Sequence, residues 1–141
     1  MDFMKSLTVS ASGMSVQRTR VGLAASNLAN VETTRSEDGS GPYRRLDAVV
    51  TPASFDEALN AADDGVRGAE VMQVVADPTE GKLVHNPNHP DADENGMVRL
   101  PNVNPVQEMV NLMTAQRGYD ANATAFETAK TMIQRGLEIV R

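Results

Sequence analysis

The sequence predicts a mainly α-helical protein, with long N- and C-terminal helices that form a coiled-coil pair and a small β-containing insert between them. Apolar residues recur every seven positions near both ends of the 141-residue chain, a spacing typical of helices that pack along a shared seam. The middle of the chain instead holds short runs of strand-forming residues bounded by Gly and Pro. Aromatic residues make up 4% of the chain, which favours helices packed through Leu, Val, Met and Ala over the aromatic-rich core of a globular enzyme.

The N-terminal segment, residues 1–31, is predicted to be one amphipathic helix. Asp2 suits the N-cap position, where its carboxylate accepts hydrogen bonds from the first backbone amides of the helix. Apolar residues then recur every seven positions, which places them in a stripe along one side of the helix. The residues of this stripe are Leu7, Met14, Val21 and Leu28.

The middle segment, residues 32–104, is predicted to be an acidic insert that contains β-structure. Four runs place strand-forming residues between turn signals, namely GPYRRLDAVVTP, GVRGAEVMQVVADP, KLVHNP and GMVRLP. The segment holds fourteen Asp or Glu and six Lys or Arg, whereas the whole chain has a formal charge of −6. An acidic surface repels the phosphates of nucleic acids, so the charge excludes nucleic-acid binding.

The C-terminal segment, residues 105–141, is predicted to be a second, longer helix that joins the first in one coiled-coil domain. Asn104 suits the N-cap, Pro105 suits the first helical position, and Gln107 is placed to complete a capping box. Apolar residues then recur every seven positions without a break. The residues of this second stripe are Leu112, Tyr119, Phe126, Ile133 and Val140.

The two apolar stripes are predicted to be an assembly interface, because two helices alone cannot shield a stripe on all sides. Both helices also contain Gly residues, each of which costs about 1 kcal/mol relative to Ala in a helix interior. Such helices are marginal when isolated and gain stability from neighbours. The simpler alternative is that the two helices form an antiparallel pair within one chain.

The loop HNPNHPDADENG carries the residues most suggestive of a metal site. Asp91, Asp93 and Asn95 match the first half of a calcium-binding loop, which requires Glu at its twelfth position. That position is occupied by Asn102, which cannot bind calcium as a bidentate carboxylate. The pattern therefore favours a polar turn over a calcium site.

The sequence shows no arrangement of residues typical of catalysis. His85 and His89 are four positions apart, but Pro87 lies between them and excludes the regular helix that would align both imidazoles. The serines lie outside any G-x-S-x-G motif, and no glycine-rich phosphate loop is present. We therefore expect no catalytic residues, no metal, no cofactor and no small-molecule substrate.

The stretch ASNLANVETT, which ends the first helical pattern, resembles the N-terminal signature of bacterial flagellar axial proteins, the rod and hook family. The later runs GPYRRL, HPDADENGMVRLPNV and EMVNLMTAQRGYDAN are also similar to rod members of that family. Asn30 is expected to close the helix, and the amide of Asn27 is expected to be useful if it bonds a neighbouring chain and otherwise to be a modest cost to the helix. The matching signature residues are Ser26, Asn27, Leu28, Ala29 and Asn30.

The resemblance implies a non-enzymatic building block of the proximal rod of the flagellar basal body. Such proteins polymerise helically through their terminal helices, form the motor drive shaft and line the export channel. The implied partners are further copies, the rod proteins FlgB, FlgF and FlgG, FliE and the MS-ring junction, and the flagellar type III export apparatus. The implied location is the rod that spans the periplasm, reached without a cleaved signal peptide, because the N-terminal residues lack the pattern of one. The alternative function is that of a free-standing, soluble coiled-coil adapter.

Overall fold

The computed structural model describes residues 3–36, 39, 41–53 and 68–139. It confirms two long terminal helices and four strands between them, each strand within the run predicted for it except that the first strand extends one residue further, to Ala53. Neither helix, over the described residues, has a stretch long and apolar enough to cross a membrane. Asp2 and Val140 lie outside the described residues. The elements in chain order are α1 (Phe3–Ala29), β1 (Leu46–Ala53), β2 (Gly68–Ala76), β3 (Leu83–His85), β4 (Met97–Arg99) and α2 (Pro105–Ile139).

The helices α1 and α2 lie side by side and run in opposite directions. Gln17 in α1 lies beside Gly118 in α2, and Asn27 near the end of α1 contacts Glu108 near the start of α2. This arrangement is the antiparallel intramolecular pair that the sequence left as the simpler alternative. The heptad packing of a true coiled coil stays a prediction.

Small residues allow the two helices to approach closely. A Cβ atom on Gly13 would lie 2.9 Å from the side-chain amide of Asn122, closer than real Cβ atoms come to a neighbour. Ala24 and Ala115 are buried along the same contact. The helix pair is therefore packed closely through glycine, alanine and amide side chains, and the apolar stripe of α1 lies to one side of this contact.

The register of the helix pair leaves part of α2 without a partner in α1. The residue numbers of the contacting pairs 13/122, 17/118 and 27/108 have a constant sum, so each step along α1 matches one step back along α2. This register places Phe3, where α1 begins, level with Met132. Because α2 continues to Ile139, its last two turns or so extend beyond the start of α1.

The N-terminus of α2 is capped as the sequence predicts, although the capping box is incomplete. The side-chain oxygen of Asn104 accepts hydrogen bonds from the backbone nitrogens of Val106 at 3.1 Å and Gln107 at 3.4 Å. The side chain of Gln107 was expected to bond back to Asn104. It instead donates to Asn111 at 3.2 Å, one turn further along the helix.

The strands β1 and β2 form an antiparallel ribbon that depends on α1 for support. Leu46 pairs with Ala76 at one end of the ribbon, and a register shift at Val49 and Val50 leaves Met72 as the extra residue of a β-bulge. The backbone nitrogen of Ala69 donates to the hydroxyl of Ser12 at 3.1 Å. Since a two-stranded ribbon is marginally stable alone, we infer that its contact with α1 keeps it folded.

The short β3–β4 hairpin leads the chain into α2. Leu83 pairs with Arg99, and Val98 at the centre of β4 is buried. Before β3, the backbone at Gly81 passes so close to the carbonyl oxygen of Leu100 that a Cβ atom would lie 1.7 Å from it. Only glycine fits at this position.

We expect Ala115→Leu to destabilise the protein, because the extra side-chain volume would force the closely spaced helices apart. Overpacking of this kind costs about 1–3 kcal/mol, measured as a lower free energy of unfolding in urea. Ala121→Leu, at an exposed position of the same helix, is the matched control and should leave the free energy of unfolding nearly unchanged. Equal effects of the two substitutions on the free energy of unfolding would contradict close packing of α1 and α2 at Ala115.

Candidate functional site

The side chain of Asn27 bonds both backbone polar groups of Leu46, the first residue of β1. Its amide nitrogen donates to the carbonyl oxygen of Leu46 at 2.9 Å, and its amide oxygen accepts from the backbone nitrogen of Leu46 at 2.9 Å. Asn27 is only 1% exposed, so water does not compete for these bonds. The amide therefore fixes the first residue of β1 against the last turns of α1.

Glu108, on the first turn of α2, is the second large polar side chain in the interior and is 2% exposed. Its Oε2 accepts from the amide of Asn27 at 3.1 Å, while Oε1 accepts from Nε of Arg45 at 2.8 Å and from the amide of Asn111 at 3.2 Å. A buried carboxylate without partners would cost several kcal/mol. Here both oxygens are bonded, and the charge is paired.

Arg45 connects this carboxylate to the insert. Its backbone nitrogen donates to Oδ1 of Asn102 at 2.8 Å, and its Nη1 lies 3.0 Å from a carboxylate oxygen of Asp47. Burial opposes the charge of Arg45, but the hydrogen bonds to Glu108 and Asp47 outweigh it and raise the pKa of the guanidinium above its ordinary value. Arg45 is therefore a permanent cation opposite the buried carboxylate.

Tyr43 completes what we call the polar cluster, which consists of Asn27, Tyr43, Arg45 and Glu108 with the backbone of Leu46. The hydroxyl of Tyr43 donates to the amide oxygen of Asn27 at 2.9 Å. Within the described residues, every buried side-chain nitrogen and oxygen atom has a hydrogen-bond partner. The cluster joins α1, β1 and α2 at one point.

The structure corrects the role expected for Asn27 and confirms the one expected for Asn30. The amide of Asn27 bonds residues of its own chain, not a neighbouring chain. Asn30 follows the last helical residue, and its side chain donates to the carbonyl oxygen of Ser26 at 2.9 Å while accepting from the hydroxyl of Thr33 at 3.1 Å. Of the other signature residues, Leu28 is half-buried and Ala29 is exposed.

Tyr43, Arg45 and Glu108 were not predicted from the sequence to be members of a site. A signal for the contact is nevertheless present, because small and polar residues recur at helical spacing in both helices. That pattern is usually read as a solvent-facing surface, whereas here it marks the contact between α1 and α2. The recurring residues are Gly13, Gln17, Ala24 and Asn27 in α1, and Glu108, Asn111, Ala115, Gly118 and Asn122 in α2.

In the loop that resembles half of a calcium site, the carboxylates serve as structural hydrogen-bond acceptors. Asp91 accepts from the hydroxyl of Thr34 at 2.7 Å and forms an ion pair with Arg35. The hydrogen bond from Thr34 and the positive charge of Arg35 hold the pKa of Asp91 below its ordinary value. Asp93 accepts from the backbone nitrogens of Asn95 and Met97 and closes a tight turn.

In the part of the chain that the structure describes, His85 and His89 do not combine with Asp91 and Asp93 to form a metal site. The Nδ1 atom of His89 accepts from the backbone nitrogen of Asp91 at 3.1 Å, and His85 lies in β3. No group of three or more His, Cys, Asp or Glu side chains is placed to hold a metal ion among the described residues.

The two predicted stripes lie on one side of the helix pair. Successive residues of an α-helix are about 100° apart around the helix axis. Measured around α1 from the contact residue Gly13, the stripe residues of α1 lie at roughly 60–120°. Measured in the same way around α2 from the contact residue Ala115, the stripe residues of α2 lie at roughly 0–60°. Because the helices are antiparallel, the same sense of rotation about each axis leads to the same side of the pair. We call this side the stripe face. Its residues are Leu7, Met14, Val21, Leu28, Leu112, Tyr119, Phe126 and Ile133.

The β1–β2 ribbon lies on the opposite side of the helix pair. A groove of about 490 Å³ between α1 and β2 is lined by Thr8, Ser12 and Ser15, which point away from the stripe on the helix. The residues of the stripe face are half-buried except Tyr119, which is 39% exposed. The stripe face is therefore only partly open to solvent, and its role as an assembly interface stays a prediction.

We expect Asn27→Leu to lower the free energy of unfolding by about 2–5 kcal/mol, because it removes the hydrogen bond to Oε2 of the buried Glu108 and both side-chain bonds to the backbone of Leu46. Asn111→Leu, which removes one bond to the same carboxylate, is the matched control and should cost less. Chemical denaturation of both variants measures the difference. If Asn27→Leu lowers the free energy of unfolding no more than Asn111→Leu does, Asn27 is not the central residue of the polar cluster.

We expect calcium titration by calorimetry to show no site in the micromolar range, because Asp91 is engaged by Thr34 and Arg35 and Asn102 offers no bidentate carboxylate. Asp93→Asn should not change the result of this titration. Saturable micromolar binding that Asp93→Asn abolishes would overturn the interpretation of this loop as a structural turn.

Comparison with known proteins gives matches over nearly the whole chain. The model of the family described as flagellar basal body rod FlgEFG protein C-terminal matches residues 94–139. The flagellar basal-body rod protein FlgC of Bacillus subtilis (strain 168) is 40% identical and covers 95% of each chain. The FlgC protein of Aquifex aeolicus (strain VF5) is 43% identical over 98% of this chain and 97% of its own, and that of Salmonella typhimurium (strain LT2) is 40% identical over 93% and 92%. The chain therefore belongs to the FlgC family of flagellar basal-body rod proteins.

Proposed function

We propose that this protein is a structural subunit of the flagellar proximal rod and that it polymerises helically through α1 and α2. The observation that carries the proposal is the stripe face, a continuous apolar surface that both helices present on the side away from the β1–β2 ribbon. Fully burying an exposed Leu or Phe side chain is worth roughly 1.5–3 kcal/mol, and the half-buried residues of the stripe face retain part of that gain. A face with several such residues on each subunit gives a substantial driving force for polymerisation.

The polar cluster supports a structural role over a catalytic one. Its carboxylate, Glu108, has both oxygens bonded to Asn27, Arg45 and Asn111. An acid or base that acts on a substrate must reach the substrate, whereas Glu108 is sealed inside the contact between α1 and α2. The cluster is thus suited to transmitting force between the helices and the insert, as a drive shaft requires.

The partners follow from membership of the rod family. Further copies, FlgB, FlgF and FlgG would cover the stripe face within the rod, and FliE would join the rod to the MS ring. The rod spans the periplasm, and its subunits would pass through the flagellar type III export apparatus without cleavage and then line the channel that later subunits use. Sequence similarity to rod proteins along nearly the full chain favours this function over that of a free-standing coiled-coil adapter.

We expect Phe126→Asp and Leu28→Asp each to abolish swimming in soft agar, because a carboxylate buried without a partner in the interface costs several kcal/mol and the cost recurs at every subunit. Basal bodies isolated from these cells should lack the rod. Ala121→Asp, at an exposed position on the other side of α2, is the matched control and should permit normal swimming.

Circular dichroism of the purified variants separates an assembly defect from an unfolded subunit. Asp63→Asn and Asp64→Asn, which lie in the acidic insert outside the described residues, should be nearly silent in the same swimming assay. Intact rods that contain the Phe126→Asp protein would disprove the proposed role of the stripe face.

A further inference from the structure

The loop between β3 and β4 turns sharply at Asn95 and Gly96. The backbone nitrogen of Gly96 donates to the carbonyl oxygen of Asp93 at 2.9 Å and closes the turn. Oδ1 of Asp93 accepts from the backbone nitrogens of Asn95 at 2.9 Å and Met97 at 2.8 Å. The backbone nitrogen of Asp93 donates to the carbonyl oxygen of Met97 at 2.9 Å. These bonds fix the backbone on both sides of the peptide bond that joins Asn95 to Gly96.

Only glycine suits position 96. Gly96 has a φ of 71°, a left-handed conformation that residues with a side chain rarely adopt. A Cβ atom there would also lie 3.1 Å from the ring of Pro87 and 3.2 Å from that of His85. The fold therefore places a glycine directly after the exposed side chain of Asn95, and this is the only Asn-Gly pair in the chain.

An asparagine that precedes glycine is prone to deamidation. Asparagine is thermolabile, and a following glycine has no side chain to hinder its backbone nitrogen. That nitrogen of Gly96 would lose its proton to solvent and attack Cγ of Asn95. A C–N bond forms there, and the side-chain NH2 group leaves as ammonia after it takes up a proton. Water then opens the cyclic imide at either carbonyl, which leaves aspartate or isoaspartate at position 95.

The folded turn opposes this reaction in two ways. The N–H of Gly96, which must lose its proton, is engaged by the carbonyl oxygen of Asp93. The hydrogen bonds to the side chain of Asp93 also resist the backbone rotation that would bring the nitrogen to Cγ of Asn95. We propose that Asn95 is a site of spontaneous deamidation that the folded turn protects and unfolding exposes. The proposal does not depend on the proposed function.

Deamidation at Asn95 would leave a lasting mark on the chain. Isoaspartate routes the main chain through its own side chain, so Gly96 no longer lines up with its partners in the hairpin. Among these partners is Asn86, whose backbone nitrogen donates to the carbonyl oxygen of Gly96 at 2.8 Å. Both products also add a negative charge beside Asp93 and Glu94, which are exposed. The extent of modification therefore records how long the chain has been unfolded.

Peptide mapping by mass spectrometry tests the proposal on the purified full chain. Trypsin cleaves after Lys82 and Arg99, so one peptide carries both Asn95 and Asn88, which precedes His89 and is the internal reference. In mildly alkaline buffer, Asn95 should react about tenfold or more faster in guanidinium chloride than in the native chain, because local opening of the turn costs free energy. In the denaturant it should also react faster than Asn88. Equal rates at Asn95 with and without denaturant, or no reaction in the denaturant, would overturn the proposal.

Two single variants separate the effect of the turn from that of global unfolding. Asp93→Ala removes the acceptor for the backbone nitrogens of Asn95 and Met97 and should speed deamidation several-fold in native buffer. Glu94→Ala is the matched control, because it removes an equal charge beside Asn95 but none of the hydrogen bonds of the turn, and it should leave the rate nearly unchanged. Deamidation no faster in Asp93→Ala than in Glu94→Ala would overturn protection by the turn.

Discussion

The buried carboxylate of Glu108 is the constraint on which the rest of the structure depends. A charge in the interior requires a cation and a full set of hydrogen bonds, and Arg45 and Asn27 provide them from two other parts of the chain. Once these bonds form, the end of α1, the start of β1 and the start of α2 meet at one point. The helix register and the position of the insert follow from that meeting.

The polar contact also explains why so much apolar surface lies outside. The closest contacts between α1 and α2 are made by glycine, alanine and amides, so large apolar residues of α2 such as Val106, Met109, Val110 and Met113 remain exposed. In most monomeric proteins such residues form the core, and exposed apolar patches mark interaction surfaces. The single chain is specified by its polar contacts and supplies apolar surfaces for other chains.

Sequence patterns predicted the elements well and their contacts poorly. Heptads of Leu and Val gave both helices, and Gly and Pro boundaries placed all four strands. The contact between α1 and α2 was missed because it is formed by small and polar residues such as Gly13, Gln17 and Asn27, whereas the heptad pattern singles out large apolar residues. The partner of Asn27 was missed because Leu46 binds through its backbone, which leaves no trace in residue type. The capping box was predicted wrongly because the side chain of Asn111, one helical turn after Gln107, accepts the hydrogen bond that Gln107 was expected to make to Asn104.

The unequal lengths of the two helices have a consequence of their own. The last two turns of α2 have no counterpart in α1, and Leu137 there is 68% exposed. The end of a helix without packing gains little stability in water, and Gly136 weakens it further. We therefore expect this end to open more readily in a lone subunit and to become rigid where another molecule continues the packing.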